Sequence, residues 1–295
     1  MSESVKDSSV TFNVTVPIGT LAIYNNPTIT EFIAPNIQII DDLNIFNVPN
    51  LRRLILPRLR EVSRITIYNV PLLSELSDNF FATDGIFLVS SNITVEHKYK
   101  VRIDRTAIRA LSLRSKEETA KIDEEILVWG NPFLQEFKLR GLVHGPPYIS
   151  FMNNSLATDT RTRISMPDLK TVSDRLHVSD ASSLDLSSLE IVGGSMRVEN
   201  SAMMQLNLPR LRVVKTSLSI FNNKIMTRIE MDELETVGEK TTGETGDTLQ
   251  GELIIEENPN LQTWAAPPKL RFVGRGTKLI GSFIKLVSSI RNVKF

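Results

Sequence analysis

A short pattern that recurs at a fixed interval constrains the fold of this chain more than any other feature. The segment LNIFN begins at Leu43 and returns as ITIYN at Ile65, 22 residues later, while LAIYN at Leu21 lies 22 residues before it. A fixed period of about 20 to 50 residues is typical of solenoids, in which each repeat is one structural unit stacked on the next. The sequence therefore predicts a solenoid.

The same frame can be followed along most of the chain and gives about ten candidate coils. Two of the intervals are longer than the others, and we predict insertions there, at about 77–100 and 239–251. The second insertion is rich in glycine and threonine, which indicates a polar loop. The coils begin at Leu21, Leu43, Ile65, Val101, Ile126, Ile149, Leu176, Met196, Leu218 and Leu253.

Each coil carries three short apolar segments in which apolar and polar residues alternate, as in LRRLILPRLREV at 51–62. A period of two residues indicates a strand with one buried face. Proline cannot donate a hydrogen bond in mid-strand, so prolines should mark the corner between the second and third strands. These features predict an all-β fold, a right-handed parallel β-solenoid whose coils bury their aliphatic faces against one another. The corner prolines are Pro57, Pro167, Pro209 and Pro267.

The first strand of each coil has a predicted inward face. Counting its first aliphatic residue as position zero, positions zero and two point inward and positions one and three point outward. The inward pairs form an aliphatic core on which each coil stacks. They are Leu21/Ile23, Leu43/Ile45, Ile65/Ile67, Ile149/Phe151, Leu176/Val178 and Leu218/Ile220.

Position four is asparagine in most coils, which predicts a structural ladder. Side chains stacked in register about 4.8 Å apart can hydrogen-bond to one another and to backbone groups of the turn. We interpret this row as structural and not as a ligand site. Its members are Asn25, Asn47, Asn69, Asn153, Asn200 and Asn222, with Asp180 in one coil.

The outward position three carries aromatic residues and is the best candidate for a binding surface. It holds Tyr24, Phe46 and Tyr68 in three successive coils, then Trp129 and Phe221 further along. Exposed aromatic side chains could form a platform for a sugar ring or a partner protein, since they offer a large amphipathic surface. Alternatively, they stack on one another or lie beneath an insertion.

The segments LSIFNN at 218–223, LNLPRLRVV at 206–214 and LEIVGGSMRVEN at 189–200 resemble the receptor L-domain. This is the leucine-rich β-helix found in the ectodomains of the insulin and epidermal growth factor receptors. The resemblance is closer to the fungal family of GPI-anchored cell-wall organisation and sporulation-specific proteins, and it spans about residues 20–275. It implies a leucine-rich-repeat-like glycoprotein of the cell surface, without catalytic activity, that supports the cell wall.

Two features of the sequence favour a cytoplasmic location over the cell surface. There is no cysteine, and the first twelve residues, MSESVKDSSVTF, lack the basic and then apolar order of a secretory signal. A cytoplasmic location is therefore the alternative to the cell surface. Three glycosylation sequons occur, at Asn13, Asn92 and Asn153. Asn153 belongs to the predicted ladder, so Asn13 and Asn92 are the glycosylation candidates.

The sequence favours neither an enzyme nor a nucleic-acid-binding protein. Lysine plus arginine equals aspartate plus glutamate at 34 each, so the whole chain has no net charge to attract a polyanion. We interpret the arginine-rich strips, which include Arg102 and Arg105, as solvated faces. The three histidines lack ligand spacing, and no phosphate loop, nucleophile elbow or zinc motif is present. We predict no catalytic residue, metal or cofactor.

The last residues have a helical apolar spacing. In KLIGSFIKLVSSIRNVKF, the residues Leu279, Phe283, Ile284 and Val287 fall on one helical face with basic residues around them. We predict an amphipathic helix at 276–295 that caps the open end of the solenoid. Contact of residues 278–295 with a membrane is the alternative. Residues 1–19 would then form an N-terminal cap or tail before the solenoid of 20–275.

The repeat pattern and the lack of catalytic motifs predict a non-catalytic repeat protein, and the family resemblance implies that it belongs to the cell surface or cell wall. Its solenoid face would bind a carbohydrate or a protein, and the sequence does not identify which. The alternative is an intracellular protein-binding scaffold with the same fold.

Overall fold

The computed structural model describes residues 8–76, 86–88, 100–115, 125–154, 162–243, 246–261, 263–280 and 285–287. Within these ranges every regular secondary-structure element is a β-strand. The described part of the chain thus has no helix able to cross a membrane. The strands form a parallel β-solenoid of about ten turns, which confirms the prediction of an all-β parallel solenoid.

The chain divides into two compact units. Unit 1 comprises Met1–Leu142 and Asn153–Thr160, and unit 2 comprises Val143–Met152 and Arg161–Phe295. The strands of unit 1 are β1 (Ser8–Thr11), β2 (Ile18–Tyr24), β3 (Ile29–Ile33), β4 (Ile39–Phe46), β5 (Arg53–Ile55), β6 (Glu61–Val70), β7 (Glu75–Leu76), β8 (Ile86–Leu88), β9 (Lys100–Thr106), β10 (Ala110–Ser115), β11 (Glu125–Trp129) and β12 (Glu136–Arg140).

Unit 2 contains the remaining strands. They are β13 (His144–Gly145), β14 (Tyr148–Met152), β15 (Thr162–Ser165), β16 (Thr171–Val172), β17 (Arg175–Ser179), β18 (Ala181–Asp185), β19 (Ile191–Val192), β20 (Met196–Glu199), β21 (Gln205–Asn207), β22 (Val213–Val214), β23 (Leu218–Phe221), β24 (Arg228–Glu230), β25 (Thr236–Val237), β26 (Glu239–Gly243), β27 (Gly246–Gln250), β28 (Glu252–Glu256), β29 (Thr263–Ala265), β30 (Phe272–Val273), β31 (Gly276–Ile280) and β32 (Lys285–Val287).

The first strands of successive coils pair in parallel and in the predicted frame. In unit 1 the order is β2, β4, β6, β9 and β11, and Leu21, Leu43, Ile65, Val101 and Ile126 stand opposite one another along it. In unit 2 the order is β14, β17, β20, β23, β28 and β31. Its predicted coil starts are aligned in the same way, from Ile149 through Leu176, Met196 and Leu218 to Leu253.

The second and third strands of the coils form the other sides of each unit. In unit 1, β1, β3, β5 and β7 form one parallel sheet, and β10 pairs with both β8 and β12. In unit 2, the third strands β13, β16, β19, β22, β25 and β30 form a six-stranded parallel sheet. All twelve predicted inward side chains are buried, so the aliphatic core lies where the alternation places it.

Tight turns separate the second strand from the third. The amide of Leu59 donates to the carbonyl of Leu56 at 3.1 Å, which places Pro57 second in the turn, where its fixed φ is favourable. Pro167 and Pro209 occupy the same place in their coils. In the tenth coil the turn runs from Pro267, so Pro268 and not Pro267 has the second position.

Position four has a left-handed backbone in every coil that the structure describes there. This conformation brings Cβ close to the following carbonyl, and among non-glycine residues asparagine and aspartate tolerate it best. The asparagine preference in the sequence therefore has a backbone cause that side-chain stacking alone does not supply. The values of φ are between +50° and +58° at Asn25, Asn47, Asn69, Arg105, Asn153, Asp180, Asn200, Asn222 and Glu257, and +65° at Gly130.

Hydrogen bonds between asparagines at position four are present in both units. In unit 1, Asn69 donates to Asn47 at 3.0 Å and Asn47 donates to Asn25 at 3.1 Å. In unit 2, Asn222 donates to Asn200 at 2.6 Å. These bonds lie at or near the surface, so they align coils without burying an amide.

A second ladder, which the sequence analysis missed, lies one residue further on and is buried. In unit 2, Asn223 Nδ2 donates to the carbonyl of Val198 at 3.2 Å and its Oδ1 accepts the amide of Ser201 at 2.9 Å. Asn258 accepts the amide of Asn223 at 2.9 Å in the same manner. Because these side chains satisfy buried backbone groups of neighbouring coils, they hold the coils together more strongly than the exposed ladder does. Unit 1 has the same arrangement at Asn131 and Asn154.

The predicted C-terminal helix at 276–295 is wrong, because the described residues of this segment form β31 and β32. Leu279 stands opposite Ile255 of β28, and Leu286 stands opposite Trp264 of β29. The last complete coil presents unpaired backbone N–H and C=O groups, which another strand satisfies and a helix cannot. Of the apolar residues at helical spacing, Leu279 and Val287 thus belong to strands of the last described turn.

The predicted insertion at 239–251 is an antiparallel hairpin of β26 and β27. Gly251 at its base has φ of +87°, and a Cβ there would lie 1.9 Å from the carbonyl oxygen of Thr216. The hairpin therefore leaves the solenoid through a position that only glycine fits. Of the insertion predicted at 77–100, only β8 and Lys100 lie within the described residues.

We expect Asn223→Ala to lower the free energy of unfolding of unit 2 by about 2 kcal/mol or more, because buried partners lose their hydrogen bonds. Trp264 is buried in unit 2 and reports on it by fluorescence during urea unfolding, in a Trp129→Phe background that removes the chain's other tryptophan.

Asn222→Gly is the matched control for this prediction. It keeps the left-handed backbone and removes a single ladder bond near the surface, so we expect a loss below about 1 kcal/mol. Equal losses for the two variants would show that the buried ladder contributes no more than the exposed one.

Candidate functional site

The candidate site lies on the outer face of the sheet formed by β2, β4, β6, β9 and β11 in unit 1. Outward side chains of neighbouring strands stand side by side there, because the strands are parallel and in register. Position three forms one continuous line across these strands. In order it contains Tyr24, Phe46, Tyr68, Asp104 and Trp129.

The first three residues of this line, Tyr24, Phe46 and Tyr68, form what we call the aromatic row. The rings of Tyr24 and Phe46 are stacked, with centroids 5.1 Å apart and planes 7° from parallel. The aromatic residues thus do stack on one another here, yet Tyr24 keeps 56% of its surface exposed. The row is therefore a line of aromatic side chains in which Tyr24 is exposed and Phe46 and Tyr68 are half-buried.

Small and polar side chains line both sides of the aromatic row. On one side, position one holds Ala22, Asn44 and Thr66, and none of these is buried. On the other side runs the ladder of Asn25, Asn47 and Asn69. An amide side chain has two N–H donors and two acceptor sites, so the central ladder amide retains hydrogen-bonding capacity beyond its two ladder bonds.

The surface changes character at β9, where Arg102, Asp104 and Arg105 form what we call the arginine cluster. The guanidinium carbon of Arg105 lies 4.3 Å from the ring centroid of Tyr68, and that of Arg102 lies 5.2 Å from it. Arg105 is also 5.6 Å from the ring of Trp129. Cations are attracted to aromatic faces at such distances. The two arginines therefore pack against rings, while 33% of the Arg102 side chain and 44% of the Arg105 side chain stay exposed.

Asp104 lies fully buried beneath these arginines. Its carboxylate oxygens are 3.4 Å from Arg105 Nε and 3.7 Å from Arg102 Nη2, and neither oxygen has a hydrogen-bond partner. Burial raises the pKa of Asp104 above its ordinary value, and the charges of Arg105 and Arg102 offset only part of that effect. The carboxylate is thus paired by charge and left without hydrogen bonds.

The backbone of Arg105 shows that this arrangement has a structural cost. Arg105 adopts φ of +50°, which costs a residue with Cβ about 1 kcal/mol. In the next coil Gly130 leaves space beside it, because a Cβ on Gly130 would lie 3.2 Å from Arg105 Cγ. Both features place the Arg105 side chain between Tyr68 and Trp129.

Phe221, the fifth predicted binding residue, belongs to unit 2. The guanidinium of Arg197 lies 4.3 Å from its ring, and Arg197 also donates to Glu199 at 2.7 Å. His177 Nε2 is 2.6 Å from the other oxygen of Glu199. The carboxylate of Glu199 is thus occupied by two side chains of its own face.

The other predicted sites have simpler surroundings. Asn13 is exposed, and its side-chain oxygen accepts a hydrogen bond from Asn36 at 2.6 Å. Asn92 lies outside the described residues. Among the residues that the structure describes, no group of three or more acidic, histidine or cysteine side chains could hold a metal ion.

Sequence reasoning missed Asp104 as a member of the site, and it missed the contacts of Arg102 and Arg105 with aromatic rings. A signal was present in the segment VRIDR at 101–105, the weakest copy of the repeat. Asp104 replaces the aromatic residue of the two preceding coils, and Arg105 replaces their asparagine. Departures from a repeat at positions that the fold would otherwise fill are typical of functional residues.

Comparison of the chain with protein-family models, with curated proteins and with solved structures gives no significant match.

We expect Asp104→Asn to raise the stability of the protein near neutral pH. The folded-state pKa of Asp104 is above its ordinary value of 3.8, so folding holds the proton more tightly than the unfolded chain does. This carboxyl therefore lowers stability increasingly as the pH rises from 3.8 through the folded-state pKa. Arg102 and Arg105 are 33% and 44% exposed at the side chain, so water solvates them when the carboxylate is absent.

To test this, the variant and the parent are unfolded with urea at about pH 4.5 and at about pH 7, and unfolding is monitored by circular dichroism. The difference in midpoint should be positive and larger at the higher pH. A variant that is less stable at the higher pH would show that the two ion pairs outweigh the burial of the carboxylate.

Proposed function

We propose that this protein is a non-catalytic binding protein whose unit 1 holds a polysaccharide along the aromatic row. The observation that supports this most directly is the exposed stack of Tyr24 and Phe46, with Tyr68 on the next strand. Aromatic rings cover the apolar C–H face of a sugar, and they do so at low entropic cost because they are rigid.

The polar rows beside the rings favour a sugar over a purely apolar ligand. A sugar ring carries hydroxyl groups around its edge, and each can both donate and accept a hydrogen bond. Asn44 and Thr66 on one side, and the ladder amides on the other, provide both functions within reach of a ring stacked on the row. An apolar partner would leave these groups without hydrogen bonds.

The geometry of the row favours an extended ligand. Neighbouring strands are about 4.8 Å apart, and the line of outward residues crosses them perpendicular to the strand direction. A linear polysaccharide lying across the strands would meet one aromatic ring per coil. A peptide that paired with a strand edge would run parallel to the strands and would not follow the row.

The finer classification and the location are part of this proposal. Right-handed winding is supported by the general handedness of parallel strand connections, and the receptor L-domain type by the recurring coil pattern. A wall-associated glycoprotein of the cell surface, with glycans at Asn13 and Asn92, agrees with a polysaccharide ligand. An intracellular scaffold of the same fold would use the same row for a protein.

Replacing Tyr24, Phe46 and Tyr68 together by serine should weaken polysaccharide binding by about 30-fold or more, since aromatic anchors dominate such surfaces. Binding is measured by calorimetry against a panel of soluble linear β-glucans, chitin oligomers, mannans and polyuronates. The fold of the variant is checked by circular dichroism.

Phe133→Ser is the matched control. Phe133 is an aromatic residue of unit 1 that is 50% exposed and lies in a turn outside the row, so its loss should leave the affinity unchanged. The proposal fails if the folded triple variant binds as tightly as the parent, or if the parent binds none of these polysaccharides.

Antibody staining of source cells separates the two locations. The proposed wall protein should stain on intact cells, because its face must reach the polysaccharide. Staining that requires permeabilisation would reject the cell-surface location and favour the intracellular scaffold.

A further inference from the structure

We infer that Arg102 and Arg105 form a receptor for an acidic group, a carboxylate or a sulfate ester, on the polysaccharide that follows the aromatic row. The ligand class is therefore an acidic polysaccharide. This inference rests on the proposed function and identifies its ligand more closely.

The hydrogen-bond donors of the two guanidinium groups support this inference first. Within the described part of the chain neither group makes a hydrogen bond, and their contacts with Asp104 are longer than normal N–H···O bonds. Arg102 Nε is buried without a partner. Guanidinium is planar and carries five donors whose geometry matches a carboxylate or sulfate. Two such groups with unused donors can bind one oxyanion.

The second support is that Arg105 is fixed in place before any ligand arrives. Its guanidinium packs against Tyr68 and Trp129. The N–H groups of a planar guanidinium lie at its edge, so contact of its face with a ring leaves them able to donate to a ligand. The left-handed backbone at Arg105 and the space left by Gly130 direct the side chain there. A receptor that is already ordered loses little entropy on binding.

The position of the cluster is the third support. Phe46 stands opposite Tyr68, and Tyr68 stands opposite Asp104 on the next strand. The arginines contact the last ring of the aromatic row, so the two surfaces share Tyr68. A polysaccharide stacked on Tyr24 and Phe46 that continues in the same direction therefore reaches the guanidinium groups.

Asp104 limits the charge of the receptor. When it is ionised, the carboxylate beneath the two guanidinium groups leaves a net charge of one positive unit, which suits a single acidic group. An incoming anion competes with this carboxylate for the same two cations. Asp104→Asn removes the competitor and keeps a similar side-chain volume, so it should tighten the binding of acidic ligands.

The test uses two pairs of probes that differ in charge, polygalacturonate with its methyl ester and dextran sulfate with dextran. At physiological ionic strength, which screens distant charges, the parent protein should bind at least one acidic probe about tenfold more tightly than its neutral partner. A preference in the first pair identifies a carboxylate receptor, and one in the second pair a sulfate receptor.

Arg105→Asn should reduce this ratio to near one. Asparagine is the residue that the three preceding coils use at this left-handed position, so the variant removes the guanidinium with little strain in the backbone. Arg102→Gln is the second variant, and Asp104→Asn should raise the ratio. Arg109→Gln is the control, because Arg109 is an exposed arginine of unit 1 outside the cluster.

The outcomes separate this inference from the proposed function. An unchanged ratio in Arg105→Asn and Arg102→Gln, or an equal fall in Arg109→Gln, would overturn the receptor. So would a parent that binds neutral and acidic probes equally, although the polysaccharide function would then stand. Loss of preference in the cluster variants, with Arg109→Gln unchanged, confirms it.

Discussion

The structure depends on how each coil leaves its first strand. A left-handed residue turns the chain, and in most coils a buried polar side chain follows it and hydrogen-bonds to backbone groups of adjacent coils. The turn fixes where the strand ends, and the buried side chain fixes how far one coil can slide over the next. Parallel strands of two to ten residues would otherwise have weakly specified register. The alignment of all other side chains follows from these two residues.

Alignment of this kind converts a sequence repeat into a surface. Once Leu21, Leu43 and Ile65 lie in one column, the residues three positions later must lie in another. The core column contributes stability through apolar burial. Most side chains of the outer column are at least partly exposed to solvent and contribute less to stability through burial. These residues can therefore change without altering how the coils stack. Function can therefore be placed on the outer face at little expense to the fold.

The sequence predicted features that repeat and missed features that occur once. The strand frame, the inward pairs and the ladder at Asn25, Asn47 and Asn69 recur, so each copy supports the others. The buried ladder was missed at Asn154 and Asn223 because each belongs to an NN pair, in which the sequence gave no sign of which asparagine faces inward. The C-terminal helix was wrong because spacing within one short segment was weighed without the open edge of β28. The arginine cluster depends on contacts between strands that no single repeat contains.

Arg105 shows how a departure from the repeat can be informative. The three preceding coils use asparagine in the same column, which suits the left-handed backbone and joins a ladder. Arginine at this position has a strained left-handed backbone and interrupts the ladder. The next coil has Gly130 beside it, where a Cβ would crowd the Arg105 side chain. The buried carboxylate of Asp104 adds a further desolvation cost. The contacts of Arg105 with the rings of Tyr68 and Trp129 offset part of these costs. The anion receptor that we propose would give the remaining cost a function.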